Sequence, residues 1–108
     1  MKLISDARIA RLRQQYPFGS DLDKQDAVVK VYDPCGPWTW YLLNQNPEYP
    51  DELWAIFRGF TVEVVKASLL ELEAYRDTQL GLSLDRDPYF MSMPAKEVWD
   101  KLHSGEDV

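Results

Sequence analysis

The sequence predicts a single α+β domain: a four-stranded antiparallel meander sheet with an N-terminal helix, a helix after strand 4 and a C-terminal helix. Three observations predict it. Helical periodicity marks both ends of the chain, alternating β-branched and aromatic runs fill its middle, and turn residues separate those runs. The length, 108 residues, suits one domain. We place that domain at residues 1–103 and expect 104–108 to be a frayed tail.

Residues 3–16 read as the first helix. Ser5 can start it, Ile9, Leu12 and Tyr16 share one face, and Pro17 and Gly19 stop it. Residues 27–33 read as a strand, Pro34–Pro37 as a turn, and 38–44 as the second strand, with Trp38, Trp40 and Leu42 on one face and Thr39, Tyr41 and Leu43 on the other. After a proline-containing loop, residues 53–58 and 61–67 form two more strands around Gly59. Trp54, Ile56 and Arg58 alternate against Leu53, Ala55 and Phe57.

Ser68 and Glu71 form a capping box at the head of a helix over about 69–77, with Leu69, Leu72 and Tyr75 as its buried stripe. Residues 80–90 read as irregular or short strand. Met93-Pro94 opens the last helix with proline at its first position, and Ala95, Val98, Trp99 and Leu102 form its stripe.

Composition narrows the function classes. The chain is 45% hydrophobic and 13% aromatic, which places it outside the disordered class. Its single cysteine, Cys35, allows no intrachain disulfide. Charge interrupts the N-terminus before a signal-peptide core can form, and no apolar run approaches a membrane span, so a cytoplasmic location is expected. The net charge is −6. Residues 1–16 set Lys2, Arg8, Arg11 and Arg13 against Asp6, so the body that follows is more acidic than the total. An acidic body repels phosphate backbones and suits a basic protein partner or solubility alone. The three arginines of the first helix are too few for strong DNA contact and are expected to pair with acidic residues.

No phosphate-binding glycine loop, nucleophile elbow or zinc ligand pair is present. With one histidine, His103, and one distant cysteine, no metal site of the usual nitrogen and sulfur kind is expected, and no cofactor is implied. Cys35 sits beside Asp33, which raises a thiol's pKa, so it reads as a turn residue. Two features remain. In Asp85-Arg86-Asp87 two carboxylates flank a guanidinium; the set reads as a structural ion-pair cluster, an anion clamp or an acid/base pair. Trp38, Trp40, Tyr41, Trp54, Phe57 and Phe60 supply core, and if helices cover only one sheet face, Trp38 and Trp40 form a binding patch on the other.

Three blocks, Pro37-Trp38-Thr39-Trp40-Tyr41, Ser68-Leu69-Leu70-Glu71-Leu72 and Gly81-Leu82-Ser83-Leu84-Asp85-Arg86-Asp87-Pro88-Tyr89-Phe90, resemble in order and spacing family 2958 of the domains of unknown function. The resemblance covers roughly residues 1 to 100. It implies a small protein of bacterial plasmids, phages and integrative elements, and it implies no activity. Such elements carry small acidic proteins that disable host defence, including anti-CRISPR and antirestriction proteins.

The reading that combines these features is a non-catalytic binding module that inhibits a nucleic-acid-handling host defence complex. It acts through a basic partner surface without direct nucleic-acid or membrane contact, as a monomer or weak homodimer. Asp51, Glu52, Asp85 and Asp87 are the expected acidic contacts, Arg86 lies among them, and Trp38 or Trp40 is the apolar anchor. The alternative is an enzyme or small-ligand binder built on Asp85, Arg86 and Asp87 in a cleft.

Overall fold

The computed structural model describes residues 3–108. In chain order its elements are α1 (Asp6–Gln14), a 3₁₀ turn (Tyr16–Phe18), β1 (Asp26–Ala27), β2 (Val29–Tyr32), β3 (Thr39–Gln45), β4 (Glu52–Arg58), β5 (Val62–Ser68), α2 (Leu69–Ala74), β6 (Asp85–Arg86), β7 (Met93–Pro94) and α3 (Ala95–His103). The α+β class and the antiparallel meander β2-β3-β4-β5 agree with the sequence reading. The sheet is larger by one strand, with the order β5-β4-β3-β2-β6.

The extra strand is β6, which pairs Asp85 with Tyr32 and Arg86 with Val31. Its two residues satisfy main-chain groups on the edge of β2, which a four-stranded sheet would leave bare. The predicted first strand divides. Val29–Tyr32 stays in the main sheet, whereas Asp26–Ala27 pairs with Met93–Pro94 in a separate two-stranded ladder. Pro94 is therefore the residue before α3, not its first helical residue, and it leads from the ladder directly into the helix.

Helices cover both faces of the sheet. On one face, Val29, Val31, Leu42, Leu53 and Ala55 pack with Leu12 of α1, Leu72 of α2 and Leu84. On the other, Tyr41, Leu43 and Ile56 pack with Phe90 and with Ala95, Val98 and Leu102 of α3. The α3 stripe is the one its 3.6-residue spacing predicts. The open second face entertained from the sequence does not exist, because α3 occupies it.

The first helix begins where Ser5 accepts the Arg8 N–H, and the proline-containing 3₁₀ turn follows it. The second helix ends three residues early, at Ala74. Beyond it, Asp77 gathers the N–H groups of Gln79, Leu80 and Leu82 into a loop that cannot continue as helix. The 104–108 tail is docked along α3 and the sheet. The Lys30 amine and the Tyr41 hydroxyl donate to the Val108 main-chain oxygen at 2.6 and 3.1 Å, and Arg58 pairs with Asp107.

Leu42 is fully enclosed, whereas Leu70 on α2 faces solvent. Leu42→Ala is expected to cost about 2–5 kcal/mol, the range for a large-to-small change in a closed core. Leu70→Ala should stay within about 0.5 kcal/mol. Urea unfolding of the two variants checks the assignment of layers.

Candidate functional site

The sequence-nominated residues fall into three separate places. Asp51 and Glu52 lie at the start of β4, while Trp40 lies opposite Phe57 near its end and Trp38 immediately precedes Thr39, which lies opposite Arg58. Six residues of strand separate the two ends by about 20 Å. Asp85, Arg86 and Asp87 lie at the β2 edge of the sheet.

At the first place the carboxylates serve the fold. Asp51 accepts the Ser68 hydroxyl at 2.8 Å and the Leu70 N–H at 2.7 Å, and its carbonyl accepts the Leu69 N–H. Ser68 in turn accepts the Glu71 N–H at 3.1 Å. The start of α2 is therefore capped by Ser68 and Asp51 together: Ser68 accepts the Glu71 N–H, and Asp51 accepts the Leu70 N–H and the Ser68 hydroxyl, while no side-chain bond from Glu71 closes the box among the described residues. Glu52 pairs with Lys66 across the ladder at 3.4 Å, and the Lys66 amine lies over the Trp54 ring.

At the sheet edge the expected Asp-Arg-Asp ion-pair cluster does not form. Strand alternation separates Asp85 from Arg86. Asp87 pairs instead with Lys30 at 3.5 Å and accepts the Tyr89 N–H. The Arg86 side chain is exposed and makes no hydrogen bond or ion pair among the described residues. A cleft of about 190 Å³ lies beside it, lined by Ser5, Arg8, Lys30, Asp87 and Phe90 among others.

The third place holds most of the unusual geometry. Trp38 stacks on Phe57 with ring centroids 5.6 Å apart and meets Phe60 edge-on at 5.1 Å. Trp40 continues the series to Phe57 and Tyr75. Trp40 packs against the core, so the anchor falls to Trp38 and Phe60, the latter 90% exposed. Gly59 makes the stack possible, because a Cβ there would lie 2.5 Å from the Trp38 ring. Glu63 pairs with Phe57 in the β4-β5 register and is exposed on the same face.

Beside Trp38 a cleft of about 230 Å³ is lined by Asp33, Cys35, Tyr75 and Asp77. Asp33 and Asp77 are only 4% and 7% exposed. Ligand atoms of Asp33, Cys35 and Asp77 lie within 4.8 Å of one another, a set that could hold a metal ion. Sequence spacing missed this set because Asp77 is remote from the Asp33–Cys35 turn and reaches it only through α2 and its exit. Both carboxylates already have work in the fold. Asp33 accepts the Cys35 N–H at 2.8 Å and the Tyr75 hydroxyl at 2.6 Å, and Asp77 holds its own loop. Burial, then Asp77 and Asp33, push the Cys35 thiol up, which makes it a poor nucleophile at neutral pH. The main-chain N–H groups, led by that of Leu80, hold Asp77 below the usual carboxylate range.

The basic side chains of α1 are also engaged within the protein. Arg11 pairs with Asp26 at 2.7 Å, Arg8 donates to the Val28 carbonyl and Arg13 to the Gln45 amide oxygen. Among the described residues no helix is long and apolar enough to cross a membrane.

A small α+β domain with helices on both sheet faces defines the class, and the sequence match defines the family. The family described as "Protein of unknown function (DUF2958)" matches residues 3–104, and the chain belongs to it. No curated protein and no solved structure matches the chain.

The Asp33 hydrogen bond, with burial behind it, pushes the Tyr75 phenol up to about 12. A raised folded-state pKa stabilises the protein fully below the ordinary value of 10.0, and that contribution is lost as pH rises toward about 12. Wild type should therefore lose more stability between pH 9 and 11 than Tyr75→Phe, which has no proton to lose there. Urea midpoints at the two pH values measure this, and equal losses would remove Tyr75 as the titrating group.

Proposed function

We propose that this chain is a small acidic binding protein of the cytoplasm that engages a protein partner without catalysis, through the aromatic end of its sheet. The observation that carries the reading is Phe60, almost fully exposed and set edge-on against Trp38. Exposed stacked aromatics gain most when a partner removes them from water, and Trp and Tyr dominate such contacts. Glu63 beside the rings and the net charge of −6 favour a partner with basic residues around an apolar socket.

Nucleic-acid-handling complexes carry basic surfaces, and the proposal extends to inhibition of such a host defence complex, of the anti-CRISPR or antirestriction kind, by a protein of a mobile element. The support is the chain's charge and size, together with the setting its family resemblance implies. Asp51, Glu52 and Asp87 are committed to caps and ion pairs, so the contact acids are reassigned to Glu63, with Asp85 at the sheet edge. The binding unit is proposed to be a monomer. The unpaired edge of β5 is the route to a weak homodimer, and light scattering distinguishes the two.

Tagged protein, used to capture partners from nuclease-treated bacterial lysates, is expected to retain one stoichiometric protein that salt releases. Phe60→Ser should abolish capture while leaving the urea midpoint unchanged, because Phe60 lies outside the core. Gly59→Ala should weaken it by displacing Trp38. Capture undiminished by both changes would exclude the aromatic end, and no partner from any of several hosts would count against the binding reading itself.

A further inference from the structure

The cleft beside Arg86 is separate from the aromatic end and has the opposite electrostatic character. In a chain of net charge −6, it brings together Arg8, Lys30 and Arg86 against a single lining carboxylate, Asp87. Asp6, in the first turn of α1, and Asp85 are exposed and outside the lining.

Each cation comes from a different element. The Arg8 guanidinium is fixed by its 2.9 Å bond to the Val28 carbonyl, which uses one of its five N–H donors. Lys30 lines the cleft from β2, while its amine lies over the Tyr41 ring and is held by Asp87 and the Val108 main-chain oxygen. Arg86 projects from β6 with no partner among the described residues, which leaves its planar fork free for bidentate contact with an oxyanion. The fourth side of the cleft is Ser5, the cap at the positive end of α1.

We propose that this cleft binds the phosphate group of a small phosphorylated molecule. With the Lys30 amine matched to Asp87, the Arg8 and Arg86 guanidiniums leave an excess positive charge that a phosphomonoester dianion matches better than a monovalent carboxylate does. The volume, about 190 Å³, is below that of pockets that enclose a whole drug-sized ligand, so the cleft takes the phosphate and leaves the organic part over Pro88 at its rim. A polynucleotide offers the same chemistry, but the acidic remainder of the surface would repel its neighbouring phosphates.

The probe is inorganic phosphate, titrated into labelled protein at constant ionic strength while amide shifts are followed. Saturable shifts confined to residues near Ser5, Lys30 and Arg86 are expected, with acetate giving none. Arg86→Gln, at an exposed position, should keep the fold and weaken binding about tenfold or more. Lys24→Gln, an exposed cation outside the cleft, should change nothing. Lack of saturation at about 50 mM phosphate, or equal binding by Arg86→Gln, would overturn the proposal. A short single-stranded oligonucleotide that binds more tightly than phosphate and depends on Arg86 would overturn the small-molecule assignment.

Discussion

The structure depends on β3 being buried from both sides. Leu42 faces α1 and α2, while Tyr41 and Leu43 face α3, and all three are fully enclosed. A strand that is apolar on both faces can be satisfied only by a layer on each, so the helices cannot segregate to one side. The register shift between Leu42 and Asn44 inserts Leu43 as an extra residue, and this turns the end of the strand into a polar segment, Asn44-Gln45-Asn46.

That polar end organises the loop connecting α1 to the sheet. Asn44 donates to the carbonyl of Gly19, a glycine at positive φ, and to the Gln25 amide oxygen. The Gln15 amide group donates to the Asp26 and Leu43 carbonyls, and Gln25 donates to the Gly19 and Asp21 carbonyls. Buried side-chain amides thus take the place of strand partners for a stretch of backbone that would otherwise be enclosed without them. Composition marks residues 19–26 only as a polar loop; it gives no sign that the loop's one glutamine, Gln25, is buried.

Local pattern revealed the elements, and long-range pairing decided the rest. The α3 stripe, the Ser68 cap, the alternation of Trp40 and Leu42 against Tyr41, and the meander of four strands were all legible, because each follows from spacing within one segment. The two-residue strands β1, β6 and β7 were not. They exist only because a distant partner presents an unpaired edge, and two residues carry no period. The site was less legible for the same reason: Asp77 reaches Asp33 and Cys35, and Arg8 reaches Arg86, only through the fold. The sequence marks Trp38 and Trp40 as the patch and counts Phe60 with the aromatic core; instead Trp40 packs against the core, Phe60 is exposed beside Trp38, and the patch lies at the end of a covered face rather than on an open one.

The acidic balance of the sequence therefore overstates what a partner can meet. Asp21, Asp33, Asp51, Asp77 and Asp87 each accept a main-chain N–H and spend their charge on a cap or a turn. In all but Asp51, whose partner Leu70 is distant in sequence, the short aspartate side chain reaches its own backbone two or three residues on. Removing such a group disturbs a loop before it disturbs any partner, so loss of binding on its replacement says little about contact. The Glu63 and Asp85 side chains accept no main-chain N–H and hold no ion pair among the described residues, and both are exposed, so their replacement reports on the surface. The same distinction separates Arg86, which the fold does not use, from Arg8 and Lys30, which it fixes in position. In both regions the residue left idle by the fold is the one whose chemistry remains available to another molecule.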